Sequence, residues 1–119
     1  MPARPAPSDP AAVAAALERF GAGEAGRADL KLLTKHFLGL LAERAPGRSV
    51  EVRVPPYGAV QAVPGGTHTR GTPRAVVETD AMTWIAVATG VLGWGDAVDE
   101  GRVRASGERT DLAPYLPLR

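Results

Sequence analysis

The residues best suited to chemistry lie in Gly65-Gly66-Thr67-His68-Thr69-Arg70-Gly71. In an extended segment His68 and Arg70 share one face, because alternate side chains point the same way. Such a pair can hold a carboxylate or a phosphate. Arg70 would make a bidentate contact, and His68 would add a donor near neutral pH. Glu78, at the end of the next strand segment, is placed to orient either one. The plainer reading is a polar edge strand with a surface ion pair, and it is favoured because charged residues are common on a sheet's solvent face. The second constellation is apolar: Phe37, Leu41, Trp84, Ile85, Ala88, Leu92, Trp94, Val98, Tyr115 and Leu116. As the lining of a pocket they would reward a ligand's alkyl surface by about 25 cal/mol per Å² buried. A filled core would use the same residues, and both readings stay open.

Other chemistries lack their residues. There are no cysteines, so there is no thiol nucleophile, thiolate metal site or disulfide. His36 and His68 are the only histidines, too few for the usual metal clusters. Ser8, Ser49 and Ser106 lack the strand-turn-helix context of a serine nucleophile, and no glycine-rich turn leads to Gly-Lys-Ser or Gly-Lys-Thr. The expectation is a protein that is not an enzyme and carries no cofactor; a hydrolase or isomerase built on His68 ranks last. A net charge of +1 gives no electrostatic case for nucleic acid. Arg53, Arg102 and Arg104, with Glu51, would form a charged ladder on an open sheet face, of modest energetic value.

The elements that must position these residues are legible in the pattern. Met1–Ser8 is proline-rich and reads as a flexible tail, followed by a single domain over residues 9–119. Asp9-Pro10 starts a helix as N-cap and first helical residue, with Val13, Leu17 and Phe20 on one face. From about Asp29, Leu30, Leu33, Phe37, Leu40 and Leu41 form a second helical stripe; Leu32 and Leu38 widen it, which predicts contact on more than one side. His36 adjoins that stripe as a partly buried or solvated residue. Ala45-Pro46-Gly47 ends the helix. Strands are expected over Ser49–Val54, Tyr57–Val63, and a third made of Thr67–Arg70 and Arg74–Thr79. Asp80 caps a helix that stops at Gly90, where a left-handed residue suits glycine. A short helix covers Trp94–Glu100, a strand Arg102–Ser106, and a helical turn Asp111–Leu116. No apolar run is long enough to span a membrane and the N-terminus lacks a signal-peptide core, which favours a cytoplasmic location. The excess of Arg over Lys, with abundant Ala, Gly, Pro and Val, suggests a GC-rich bacterial genome.

The residues from Thr79 to Leu118 carry a resemblance. A capped helix ends in Ala88-Thr89-Gly90, Ala97-Val98 precedes Gly101 by a fixed interval, and Gly101-Arg102-Val103-Arg104-Ala105-Ser106-Gly107 follows. This resembles the sterol carrier protein family. RSVEVRVPPYGAVQ and GTHTRGTP, within residues 48–73, resemble more specifically its small actinobacterial members. The resemblance implies an α+β, sterol-carrier-like fold with a mainly antiparallel sheet of about five strands, covered on one face by helices. It also implies a carrier of a fatty acid, acyl-CoA or sterol-like lipid held between helices and sheet. The alternative is a protein-interaction module without a lipid cavity, docking onto a partner enzyme; a homodimer also stays open. Pro114, which shortens the last helix, and the two tryptophans, which can fill the cavity, depart from the lipid-carrying pattern.

Overall fold

Helix α2 (Arg27–Arg44) is the element on which the others pack. Its apolar residues spread around much of its circumference, and Leu33, Thr34, Phe37, Leu38, Gly39, Leu41 and Ala42 are all buried. It therefore meets partners on several sides: α1 (Pro10–Gly21), α3 (Ala81–Thr89) and β2 (Gly58–Ala62). The computed structural model describes residues 5–65 and 75–118. The remaining elements are β1 (Val50–Val54), β3 (Ala75–Thr79), α4 (Trp94–Asp99), β4 (Val103–Ser106) and one 3-10 turn at Ala113–Tyr115.

Helix starts and stops follow local chemistry. The Asp9 carboxylate accepts from the Ala12 N–H at 3.1 Å, and Pro10 opens α1 where no N–H is needed. Asp80 caps α3 by accepting from the Thr83 N–H at 3.0 Å and from its hydroxyl at 2.7 Å. Gly90 closes α3 at φ +84, a left-handed conformation that costs a side-chain-bearing residue about 1–2 kcal/mol. Asp29 joins the first two helices. Its carboxylate accepts two bonds from Arg19 at 2.8 and 2.9 Å, and one from the Gly26 N–H at the start of α2. The Arg19 guanidinium accordingly holds the Asp29 carboxyl below its usual range.

The described residues form a four-stranded mixed sheet in the order β2-β1-β3-β4. The β1–β2 hairpin and the β3–β4 pair are antiparallel, but β1 and β3 are parallel, with Val50 beside Ala75 and Val52 beside Val77. The expectation of about five mainly antiparallel strands comes close: four strands are described, and two of their three pairings are antiparallel, but the β1–β3 pairing is parallel. Alternation of apolar residues identifies strands and their faces, but not which strand lies beside which. After β2 the chain crosses to the far side of β1, so β3 runs alongside β1 in the same direction. The Thr67–Arg70 half of the expected third strand lies outside the described residues.

One face of the sheet packs against the helices. Val50, Val52, Val54, Val60, Ala62, Ala75, Val77, Thr79 and Val103 are buried there. Complete burial of a valine or leucine side chain contributes about 1.5–3 kcal/mol, so this layer and α2 dominate the hydrophobic stabilisation. The other face carries Glu51, Arg53, Gln61, Glu78 and Arg104. Pairing places Arg53 beside Glu78, and Glu78 beside Arg104, in one cross-strand row. Arg53 also forms an ion pair with Glu51. Arg102 leaves the expected ladder: it precedes β4 and donates to the Thr83 hydroxyl at 3.1 Å.

The described part of the expected N-terminal tail, Pro5–Ser8, lies against α2. The Ser8 N–H donates to His36 Nδ1 at 2.9 Å, and Gly39 leaves room for the backbone of Ala6 and Pro7. A Cβ on Gly39 would stand 2.7 Å from the Ala6 carbonyl carbon. At the other end of the chain, the Leu118 N–H donates to the Ala88 carbonyl at 2.8 Å, and Arg44 donates to the carbonyls of Tyr115 and Pro117. Leu112 and Leu118 are buried by this arrangement.

Candidate functional site

The ten apolar residues singled out from the sequence occupy two environments. Phe37 and Leu41 on α2, with Trp84, Ile85 and Ala88 on α3, are at most 1 % exposed and form part of one continuous core. Their spacing explains this: Trp84, Ile85 and Ala88 fall on the side of α3 that meets α2. The other five lie at or near the rim. Trp94 is buried at the start of α4, Leu92, Tyr115 and Leu116 are half-buried against the core, and Val98 is 42 % exposed. His68 and Arg70 lie outside the described residues.

Trp84 is fixed as well as buried. Its indole Nε1–H donates to the Thr34 backbone carbonyl at 3.3 Å, which satisfies the indole's one polar group inside the core. Thr34 itself is fully buried, and its hydroxyl is the one buried side-chain polar atom without a partner among the described residues. Neither concavity found among those residues is lined by any of the ten apolar candidates. Between α2, α3 and the sheet, the described residues Phe37, Leu41, Trp84, Ile85 and Ala88 are packed out of contact with solvent.

The larger concavity lies elsewhere. It is a groove of about 750 Å³ running along β2, walled by Pro5, Ala6 and Ser8 on one side and by Gly58–Gln61 on the other. Lys35 of α2, Gly47 and Arg48 of the α2–β1 connection, and Tyr57 complete it. Its two charged residues among the described ones, Lys35 and Arg48, are both cations. No motif in the sequence marks Lys35. The groove exists because Pro5–Ser8 docks on α2, and that docking depends on Gly39 and His36 rather than on any motif near Lys35.

His36 holds one end of that wall. Its Nδ1 accepts the Ser8 N–H, and its ring meets Phe37 edge-on with centroids 4.9 Å apart. Burial lowers the His36 pKa below its ordinary value. The neutral ring is also the form that leaves Nδ1 able to accept.

A smaller concavity of about 260 Å³ lies between the start of α3 and the approach to β4, lined by Pro55, Glu78, Thr79, Asp80, Gly101, Arg102 and Arg104. Its charges are of both signs. Burial raises the Asp80 pKa, but the hydrogen bonds from Thr83 and the nearby Arg102 outweigh this and hold it below the usual carboxylate range. Asp80 serves as the α3 cap through Thr83, and Arg102 donates to the same Thr83 hydroxyl. Among the described residues there is no grouping of three or more His, Asp or Glu able to hold a metal ion, and no helix long and apolar enough to cross a membrane.

Residues 26–118 match the family model described as bacterial SCP ortholog, SCP standing for sterol carrier protein. A search of curated proteins returns no match to the chain.

Proposed function

The chain belongs to the bacterial SCP ortholog family, and from that premise we propose that it is a carrier for an acyl-bearing or sterol-like small molecule. The ligand's apolar part lies between the α2–α3 layer and the sheet, against Phe37, Leu41, Trp84, Ile85 and Ala88. The rim residues Leu92, Trp94, Val98, Tyr115 and Leu116 form the approach, and His68 with Arg70 meets an anionic head group. The family match over residues 26–118 carries this reading.

Two features of the interior support it. Its wall is apolar on both the helix and the sheet side, as an alkyl chain requires. The Thr34 hydroxyl, buried and without a partner among the described residues, belongs to the residue whose carbonyl receives the Trp84 indole, and offers a polar group to a ligand. Entry requires the interior to open, and the C-terminal segment is the element to move. It is held to the helices by the Leu118–Ala88 bond and the two Arg44 contacts. Releasing it exposes Leu112 and Leu118, at about 1.5–3 kcal/mol for each side chain. Ligand burial must recover that cost.

The burial of Phe37, Leu41, Trp84, Ile85 and Ala88, each at most 1 % exposed, favours a second reading, a module that docks onto a partner enzyme or a second copy without carrying lipid. Titration with palmitate and palmitoyl-CoA separates the two, followed by tryptophan emission in the wild-type protein and in Trp94→Phe, which leaves Trp84 as the sole reporter. The carrier reading predicts a saturable change in Trp84 emission. An unaltered spectrum with both ligands, in a protein that remains folded, leaves the docking module as the answer.

A further inference from the structure

A single hydrogen bond ties residues 5–8 to the rest of the described protein. Pro5 and Pro7 have no N–H, so the segment offers only the Ala6 and Ser8 N–H groups. The Ser8 N–H donates to His36 Nδ1 at 2.9 Å. The Ala6 N–H and the carbonyls of residues 5–8 have no partner among the described residues. Apolar burial adds little: Ala6 and Pro7 are exposed, and Pro5 and Ser8 are half-buried. Shape decides where the segment lies. It crosses α2 at Gly39, where a Cβ would stand 2.7 Å from the Ala6 carbonyl carbon. It reaches the start of β2, where a Cβ on Gly58 would meet Pro5 Cγ at 4.0 Å. The segment therefore spans the seam between α2 and β2 and forms one wall of the groove.

The bond to His36 occupies the lone pair that an incoming proton must take. In a neutral imidazole one ring nitrogen carries the proton and the other accepts. Nδ1 accepts from Ser8, so the proton sits on Nε2. Nε2 has no protein partner among the described residues and is not among their buried unpartnered atoms, so it meets water. A second proton goes to Nδ1, and the new N–H then points at the Ser8 N–H. Docking and protonation exclude each other. Burial of the ring acts in the same direction, because it disfavours the charged form. Among the described residues, Lys35 is the one charged side chain within a turn of His36 on α2. Of the elements that pack on α2, β2 and α3 carry no titratable side chain. α1 carries Glu18 and Arg19 in its last turn, where Arg19 pairs with Asp29, two turns of α2 away from His36. Asp9, next to Ser8, caps α1 through the Ala12 N–H, and Arg48 and Tyr57 share the groove with the segment.

We propose that Pro5–Ser8 is an acid-released strap: protonation of His36 at Nδ1 frees it from α2, which removes one wall of the groove and uncovers the α2–β2 seam at Gly39 and Gly58. At neutral pH the strap stays docked. Its attachment to α1 at Pro10 keeps it close, so reclosure on deprotonation is intramolecular. The device works whether or not the helix–sheet interior carries lipid.

Backbone amide relaxation by NMR on the full chain, between about pH 7.5 and about pH 5, tests this, with the His36 ring resonances followed in parallel and assigned by comparison with His36→Gln. Order parameters at Ala6 and Ser8 should fall from about 0.85 to below about 0.6 with the midpoint of the His36 ring, while those of α2 and β2 hold. His36→Gln, whose amide oxygen accepts from Ser8 but takes no proton in this range, should keep the strap docked throughout. Gly39→Ala should displace the strap at neutral pH, and by reciprocity its His36 midpoint should rise toward the ordinary 6.5. Alanine favours the helix, and the wild-type and His36→Gln titrations decide the matter even if this variant does not fold. Four results each overturn the proposal: titration of His36 with Ala6 and Ser8 still ordered, the same acid release in His36→Gln, a folded Gly39→Ala with an unchanged His36 midpoint, or loosening of the strap only as the α2 amides unfold with it. No lipid is added in these experiments, so their outcome is independent of the carrier reading.

Discussion

Replacing Thr34 by Val is expected to stabilise the protein. Thr34 is fully buried in the middle of α2, and its hydroxyl has no hydrogen-bond partner among the described residues. Valine has nearly the same shape and the same β-branching, so packing and helix propensity change little. What changes is the desolvation of a hydroxyl that gains nothing in the folded state. The cost of such a group is about 1–3 kcal/mol, and partial relaxation places the expected gain at about 1–2 kcal/mol. The Thr34 carbonyl, which receives the Trp84 indole, is backbone and survives the substitution. For a domain of this size the gain corresponds to a melting temperature higher by about 3–8 °C. Urea unfolding followed by circular dichroism measures it directly: the midpoint should rise with the slope unchanged. A loss of stability would refute the reasoning, because it would mean that the hydroxyl has a buried partner. Under the carrier reading the same variant should also bind palmitate more weakly if the ligand's polar group uses the hydroxyl.

Other substitutions probe the remaining joints. Asp80→Ala removes the bonds to the Thr83 N–H and hydroxyl and should cost about 1 kcal/mol, with Asp80→Asn largely preserving the cap; urea midpoints distinguish them. Because the folded Asp80 pKa lies below the ordinary 3.8, its contribution is present above that value and is lost as pH falls through the folded pKa. His36 has the same pH dependence for a different reason. Its folded pKa is below 6.5, so the unfolded chain binds the extra proton first; stability is complete above pH 6.5 and declines on acidification toward the folded pKa, a slope that His36→Gln should flatten. Gly107→Ala should destabilise by more than about 2 kcal/mol, since its φ is +93 and a Cβ would stand 2.7 Å from the Ala75 Cα. Gly90→Ala, where the new Cβ meets only ordinary contact with Pro117 at 3.5 Å, should cost about 1 kcal/mol, and thermal melts of the two variants check the order.

The elements were legible because their signals are local. Asp80 and Gly90 bracket α3, Asp9 and Pro10 start α1, and the Val50, Val52 and Val54 alternation marks a strand with one face inside. The width of the α2 stripe also foretold contact on several sides. Strand order was not legible, because a valine turned inward looks the same whichever strand lies beside it; the parallel β1–β3 pairing depends on where the chain crosses after β2. The interior residues were identified as apolar and inward, yet a stripe on a helix does not distinguish a lined cavity from a filled one. The groove was invisible for a further reason. It depends on the Pro5–Ser8 segment lying on α2, through the histidine bond and the absence of a side chain at Gly39. Neither feature has a distinctive pattern, and a proline-rich terminus reads as a tail until its contacts are known.

Native mass spectrometry of the gently purified protein tests the carrier assignment most directly, because it weighs the chain together with whatever it holds. The account predicts a fraction of the protein carrying one added mass in the range of a fatty acid, an acyl-CoA or a sterol-like lipid, and conversion of the remainder to a one-to-one complex on addition of palmitate or palmitoyl-CoA. A bare mass throughout, unchanged by excess of both ligands while the protein remains folded, would contradict it.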